Sequence, residues 1–277
     1  MGDLTRLRDH LRTLDRVVVA FSGGADSALL AWVANDTLGP ERAVAVTAVS
    51  PSLAGSEHAD CAALAASWGL RWVEVLTDEM LDAAYRRNDG DRCFWCKDAL
   101  MDAVVPLVAP GAAHAGATVV LGVNCDDLGD HRPGQAAAAQ RGAVFPLVEA
   151  GFTKADVRRC SLDLGLRTWD KPAAACLASR VPYGSPVTVS VLSRVERAEA
   201  ALHDLGFRAL RVRHYDDTAR LEVPLEDLDR VVLLRGEVVA AVRRAGYRYV
   251  TLDLEGLRSG NLNAALGTVL DPADRPR

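Results

Sequence analysis

Three groups of residues have the types and spacing to do chemistry. The first is Ser22-Gly23-Gly24-Ala25-Asp26-Ser27, which follows the apolar run Val17-Val18-Val19 and precedes the helical pattern Ala28–Val33. A glycine turn between a strand and a helix points several backbone N–H groups and the positive end of a helix dipole at one spot, which suits an anion. Ser22 and Ser27 add hydroxyl donors. The two glycines let the backbone approach a phosphate closely. Asp26 suits a Mg²⁺ that travels with such a phosphate. The second group is Gly122-Val123-Asn124-Cys125-Asp126-Asp127, where adjacent acids either hold Mg²⁺ on a polyphosphate or cap the following helix. The third is a set of cysteines: the pair Cys93-Phe94-Trp95-Cys96, and Cys176 in a proline-rich segment between Lys171 and Arg180. Nearby cations favour a thiolate. A Cys-x-x-Cys spacing lets both sulfurs face one metal or cluster.

The elements that must position these groups alternate. Strands are expected at Val17–Ala20, Ala43–Val49, Arg71–Leu76, Thr118–Leu121 and Val144–Leu147. Helices are expected at residues 3–14, after the glycine loop, and at Ser56–Trp68, Asp98–Val108, Gly134–Arg141 and Thr153–Leu164. Alternation of this kind implies a parallel sheet with right-handed crossovers. Ligands then bind beyond the C-terminal strand ends, where Ser22–Ser27, Ser50 and Gly122–Asp127 all fall. Residues 170–188 carry prolines and no periodicity, which marks a linker. Beyond it come a helix at Ser190–Leu205, strands at Ala209–Arg213 and Ala219–Val223, a helix at Leu225–Ala245 and a strand at Tyr247–Leu252. The expected architecture is an α/β domain over residues 1–180 and a small α+β domain over residues 181–277, the latter for substrate binding and oligomerisation.

The chain has 277 residues and a formal net charge of −5. Residues 1–150 carry 12 Lys and Arg against 20 Asp and Glu, and the remainder carries 20 against 17. A mildly basic second half suits a small anion and lacks the basic stripe of a nucleic-acid binder. No run of about 18 uncharged apolar residues occurs, and residues 1–6 lack a signal-peptide core, so a cytoplasmic, non-membrane protein is expected. Six cysteines in such a chain point to metal or reactive roles for those that cluster, rather than to disulfides. The six histidines form no His-x-x-x-His pair, which disfavours a zinc hydrolase.

The glycine loop has no Gly-Lys-Ser/Thr and no Gly-x-Gly-x-x-Gly. Ser-Gly-Gly-x-Asp-Ser instead resembles the PP-loop of the N-type ATP pyrophosphatases, which split ATP into AMP and pyrophosphate to activate an acyl or amide oxygen. Four further strings narrow the resemblance: Asp127-Leu128-Gly129-Asp130-His131-Arg132-Pro133-Gly134, Trp169-Asp170-Lys171-Pro172, Cys176-Leu177-Ala178-Ser179-Arg180-Val181-Pro182-Tyr183-Gly184, and Leu252-Asp253-Leu254-Glu255-Gly256-Leu257-Arg258-Ser259-Gly260. With these the chain resembles the LarE family, from the glycine loop to about Asn263. The resemblance implies ATP-dependent sulfur transfer to pyridinium-3,5-biscarboxylic acid mononucleotide in nickel-pincer nucleotide biosynthesis. It implies ATP and Mg²⁺ bound at Ser22, Gly23, Gly24, Asp26, Ser27, Gly122, Asn124 and Asp127, and the strand-end position of Ser50 adds that residue to the expected nucleotide site.

The substrate's phosphate and second carboxylate need cations. Arg211 and Arg213 alternate on one strand and so share a face. With Arg180, Arg258, Ser259 and Asn263 they form the expected substrate set. For the sulfur, two donors compete. In the sacrificial route that the resemblance implies, Cys176 gives up its own sulfur and becomes dehydroalanine. Alternatively, Cys93, Cys96 and Cys176 hold a [4Fe–4S] cluster whose open iron carries an extra sulfide, delivered by an iron–sulfur or sulfide donor partner. The pair Cys93 and Cys96 also reads as a dithiol that reduces a persulfide, or as core cysteines beside Trp95. Two other functions stay in view: a PP-loop thiolase or amidase acting on tRNA or another carboxylate, and a non-catalytic ATP-binding iron–sulfur scaffold. A homo-oligomer is expected.

Overall fold

A computed structural model describes residues 2–129, 133–172 and 175–258. Ser259 and Asn263 lie outside the described residues. The chain forms two compact units. One takes the chain up to Asp82 together with Asp91–Ala175, and the other takes Ala83–Gly90 together with the chain from Cys176 onward.

The first unit runs α1 (Leu4–Leu14), β1 (Val17–Ala20), α2 (Ala25–Leu38), β2 (Ala43–Val49), α3 (Gly55–Trp68) and β3 (Arg71–Leu76). The short helix α4 (Ala83–Arg87) belongs to the second unit. The first unit then resumes with α5 (Arg92–Val108), β4 (Thr118–Leu121), α6 (Pro133–Gln140), α7 (Pro146–Glu149) and α8 (Lys154–Asp163). The sheet order is β3-β2-β1-β4, and every pair is parallel. Both faces are covered. Val17 and Val19 pack with Leu7, Leu11, Leu29 and Leu30, while Val18 packs with Leu100, Met101 and Val104. That is why β1 reads as an unbroken apolar run instead of an alternating one. This is the expected α/β architecture.

Three local expectations give way. Val144–Leu147 is not a fifth strand: Val144 makes one isolated bridge to Val120, and the chain turns at once into α7 with Pro146 in its first turn. A proline cannot donate to a strand ladder, and its fixed φ suits a helix start. Helix α5 begins at Arg92 rather than Asp98, which places Cys93 and Cys96 in its first turns. The expected single helix over Leu225–Ala245 is a 3₁₀ turn at Leu225–Asp227, then α10 (Leu228–Leu233) and α11 (Arg235–Arg244). The break at Leu234 is followed by Gly236, a poor helix former.

In the second unit α9 (Val189–Asp204) precedes β5 (Arg211–Tyr215) and β6 (Thr218–Glu222), and β7 (Tyr249–Leu252) follows α11. β5 and β6 are antiparallel, and β6 and β7 are parallel. Val212, Ala219 and Leu221 pack with Leu202, Val238 and Val242 on one face of this sheet. The strand period of two therefore sends Arg211, Arg213, Arg220 and Glu222 to the opposite face. Among the described residues, no helix is long and apolar enough to cross a membrane.

Residues 83–90 are stitched to the proline-rich segment within this second unit. Asn88 has a positive φ of 60° and is fully buried. Its amide nitrogen donates to the carbonyls of Val181, Pro182 and Ser185 at 3.2, 2.8 and 2.9 Å. Gly184 N–H returns a bond to the Asn88 carbonyl, and Val187 N–H to that of Arg86. Replacing Asn88 with Ala leaves those carbonyls short of a donor. The expected loss is about 1–3 kcal/mol, read as a lower urea midpoint for the variant at unchanged slope.

Candidate active site

The register of β1 with β4, Val17↔Thr118 through Ala20↔Leu121, brings the two loops that follow them to the same sheet end. α2 starts at Ala25 with Gly24 as its N-cap, and no side chain caps it. Ser22 and Ser27 face each other across the turn. The Ser22 N–H donates to Ser27 Oγ at 3.2 Å, the two hydroxyls lie 3.1 Å apart, and Ser27 Oγ donates to the Gly24 carbonyl. Gly23 has φ +68°, and a Cβ there would sit 2.9 Å from Cys61 Sγ. Cys61 is fully buried in α3, and burial pushes its thiol up to about 11. It is packing beneath the loop, not a nucleophile.

The second loop closes on the first. A Cβ on Gly122 would lie 2.7 Å from Ser27 N and 2.9 Å from the Asp26 carbonyl carbon. Asn124 Nδ2 donates to Asp26 Oδ1 at 3.0 Å. Asp127 Oδ2 accepts from Asn124 N–H at 3.1 Å within the loop, and Asp126 Oδ2 accepts from the N–H of Lys154, in α8, at 2.8 Å. Lys154, at the start of α8, also gives its ammonium to Asp26 Oδ2. The Asp26 carboxylate thus already balances a cation, and its oxygens are the hard donors that Mg²⁺ prefers. Ser50, at the end of β2, donates to Glu79 Oε1 at 2.5 Å and accepts from Ser52 N–H. It lines an open depression of about 740 Å³ with Val49, Pro51, Leu76, Thr77 and Ala99. The structure therefore joins Ser22, Gly23, Gly24, Asp26, Ser27, Gly122, Asn124 and Asp127 in one place and sets Ser50 on the neighbouring strand end.

In the second unit, Cys176 is exposed and begins the 3₁₀ turn Leu177–Arg180. Arg180 is buried. Its Nε and Nη2 meet Glu199 Oε1 and Oε2 at 2.9 and 3.1 Å, and its Nη1 reaches the Cys176 carbonyl and Ser179 Oγ. Its fork is engaged within the protein, where it fixes the cysteine turn. Arg213 donates to the Ser179 carbonyl at 2.7 Å and to Glu222 Oε2 at 2.8 Å, while its buried Nε has no hydrogen-bond partner. Arg211 donates to the Arg258 carbonyl at 2.9 Å. Burial lowers the Arg211 pKa, and the neighbouring charges of Arg213 and Arg180 lower it further. Arg211, Arg213 and Arg220 thus gather positive charge on the sheet face opposite Val212, Ala219 and Leu221, and Glu222 offsets part of it.

Cys93 is exposed and Cys96 half-buried. Among the described residues, no group of three His, Cys, Asp or Glu side chains is placed to hold a metal ion. The structure therefore lends no support to a cluster on Cys93, Cys96 and Cys176.

Sequence reasoning missed Lys154 and left Glu199 unassigned. A signal for Glu199 existed, because it falls on the apolar stripe of α9 with Leu192, Val195, Ala198 and Leu202. A carboxylate on a buried stripe calls for a cation partner. Nothing comparable marks Lys154, whose partner lies 128 positions away.

A glycine loop at the C-terminal edge of a parallel sheet, closed by an Asn-Asp loop from the adjacent strand, is the arrangement that the PP-loop resemblance implies. The NAD synthase family model matches residues 5–93. The chain is 47% identical over 266 residues to an uncharacterized protein of Synechocystis sp., covering 95% of this chain and 97% of that one. It is 37% identical over 257 residues, 92% of each chain, to the pyridinium-3,5-bisthiocarboxylic acid mononucleotide synthase of Lactiplantibacillus plantarum. An uncharacterized protein of Methanocaldococcus jannaschii is 23% identical over 92% of this chain. The chain belongs to the LarE family, that of the bisthiocarboxylic acid mononucleotide synthase.

The tight seat of Gly122 yields a test. The atoms that a Cβ would meet are backbone, so they cannot swing aside. Gly122→Ala should cost about 1–3 kcal/mol of stability and weaken ATP binding at least tenfold, measured by thermal melting and calorimetric titration. Wild-type ATP affinity in a destabilised variant would contradict the loop-to-loop closure.

Proposed function

We propose that the protein is an AMP- and pyrophosphate-forming sulfurtransferase. It converts ring carboxylates of pyridinium-3,5-biscarboxylic acid mononucleotide to thiocarboxylates on the way to the nickel-pincer nucleotide. The observation that carries this reading is the 37% identity to the synthase along 92% of both chains.

A carboxylate is a poor electrophile because its oxygen is a poor leaving group. Attack of that oxygen on the α-phosphorus of ATP expels pyrophosphate and leaves an acyl-adenylate. Backbone N–H groups at the start of α2, with Ser22 and Ser27, are suited to receive the phosphates. Asp26 would hold Mg²⁺ arriving with ATP, and the ion would screen the triphosphate's charge. The lysine that Asp26 now pairs, Lys154, then has its ammonium available to the same phosphates.

The Cys176 thiolate next attacks the activated carbonyl, and AMP leaves with the electron pair of the broken bond. A base removes the Cα proton of residue 176. The Cβ–S bond breaks, the thiocarboxylate departs with the sulfur, and dehydroalanine remains. The exposure of Cys176 and the anchoring of its carbonyl by Arg180 support this assignment. Arg211, Arg213 and Arg258, together with Ser259 and Asn263, remain the proposed seat of the mononucleotide's phosphate and second carboxylate.

One turnover under anaerobic conditions, followed by intact mass, tests the donor. The expected result is a loss of about 34 Da from the protein, the mass of H₂S. Cys176→Ala should give no transfer, and the Cys93→Ser, Cys96→Ser double variant should transfer sulfur normally. An unchanged protein mass, with transfer that depends on Cys93 and Cys96, would overturn the sacrificial route and favour a cluster-borne sulfide.

A further inference from the structure

Lys171, read from the sequence only as a cation flanking Cys176, has no part in the ATP chemistry described so far, yet it lies beside the glycine loop. A Cβ on Gly23 would be 3.7 Å from its Nζ. The ammonium is largely buried and is bracketed by two carboxylates of α3, Glu57 Oε2 at 2.8 Å and Asp60 Oδ2 at 2.6 Å. Burial disfavours its charge, but the bonds to Asp60 and Glu57 outweigh that, and the pKa is raised. Asp60 is shared with Arg167 at 2.6 Å. The four groups are thus two cations and two anions.

Carboxylates this near a phosphate loop would repel a triphosphate unless neutralised, and Arg167 alone leaves one of them unbalanced. An ammonium carries three N–H donors, and the two ion pairs use two of them. Its backbone is fixed, with Lys171 N–H donating to the Thr168 carbonyl and Arg158 donating to the Lys171 carbonyl. The four-carbon stem leaves the charge able to repartner over a few ångströms.

We propose that Lys171 is a further phosphate-binding residue of this site. Its ammonium, stored on Glu57 and Asp60 before ATP arrives, meets the β- and γ-phosphates at Gly23 and stabilises the charge of the departing pyrophosphate. When the bond between the α-phosphorus and the bridging oxygen breaks, its electron pair stays with pyrophosphate, and a cation beside that group lowers the barrier. This rests on the reading of the protein as an ATP-cleaving enzyme.

The test uses the full chain, ATP, Mg²⁺ and the biscarboxylate mononucleotide, with pyrophosphate release and the binding of ATP and AMP as readouts. Lys171→Met should slow pyrophosphate release about 100-fold and weaken ATP about tenfold, with AMP affinity unchanged because AMP lacks the phosphates in question. Lys171→Met alone also exposes two unpaired acids, so the decisive variant is Glu57→Gln, Asp60→Asn, Lys171→Met, which removes them too. If Lys171 acts on the phosphates, the triple variant stays slow. If Lys171 only neutralises the two acids, the triple variant recovers wild-type release and ATP affinity, and the proposal is overturned. Should these variants fail to fold, Lys171→Arg keeps the charge and the brace. Slower release at unchanged melting temperature supports the phosphate contact, and unchanged release overturns it. Absence of pyrophosphate from the wild-type enzyme is a separate outcome that refutes the ATP-cleaving reading itself.

Discussion

The first unit depends on one steric constraint: the turn between β1 and α2 is roofed by the end of β4 with no space for a side chain between them. Gly122 meets the backbone of Asp26 and Ser27. The parallel register of β1 and β4 sets that approach, since Ala20 and Leu121 are paired and each strand leaves the sheet at the same level. Beneath the turn, Gly23 lies close to the buried thiol of Cys61. The loop is therefore held from above and below by groups that cannot retreat. Its N–H groups are fixed before any phosphate binds, and fixed donors stabilise developing charge without reorganising.

Electrostatics follow from this confinement. Anionic side chains gather around the loop, and each is paired with a lysine brought from far along the chain: Asp26 with Lys154, and Glu57 and Asp60 with Lys171. The second unit repeats the device with arginines, where Glu199 holds Arg180 and Glu222 holds Arg213. Such buried pairs add little net stability, because desolvation offsets their attraction. Their effect is positional. Arg180 fixes the turn that carries Cys176, and Arg213 fixes the carbonyl of Ser179 in the same turn.

The sequence was most legible where one residue type has one physical use. Two glycines between an apolar strand and a helix, and Gly-x-Asn-x-Asp-Asp after another strand, placed both loops correctly because the required backbone geometry tolerates few alternatives. Pattern failed at Val144–Leu147, where an apolar run suits a strand until Pro146 removes a donor. It failed at Cys93 and Cys96, which lie inside α5 because helix starts are poorly marked without an N-cap side chain; Asp91 makes no such bond. The partners of Asp26 and of Lys171 were not legible, since pairings across 128 and 111 positions leave no local trace. Glu199 was legible in principle, as a charge on the buried stripe of α9.

The six cysteines separate by environment, and that separation bears on which of them can surrender sulfur. Burial pushes the Cys61 thiol up to about 11 and raises that of Cys160, so neither is available as a thiolate near neutral pH. Cys125 is half-buried, with its thiol toward the Val148 carbonyl. Cys96 is half-buried in α5, and Cys93 is exposed but sits in the first turn of that helix. Loss of its sulfur by elimination would flatten its Cα, and a planar α-carbon fits poorly into helical φ and ψ. Cys176 is exposed and lies at the entry of a 3₁₀ turn with φ −57° and ψ 157°, an extended geometry outside the helix. There the α-carbon can become planar without unwinding a helix. The backbone at Cys176, as much as its thiol, suits it to an elimination.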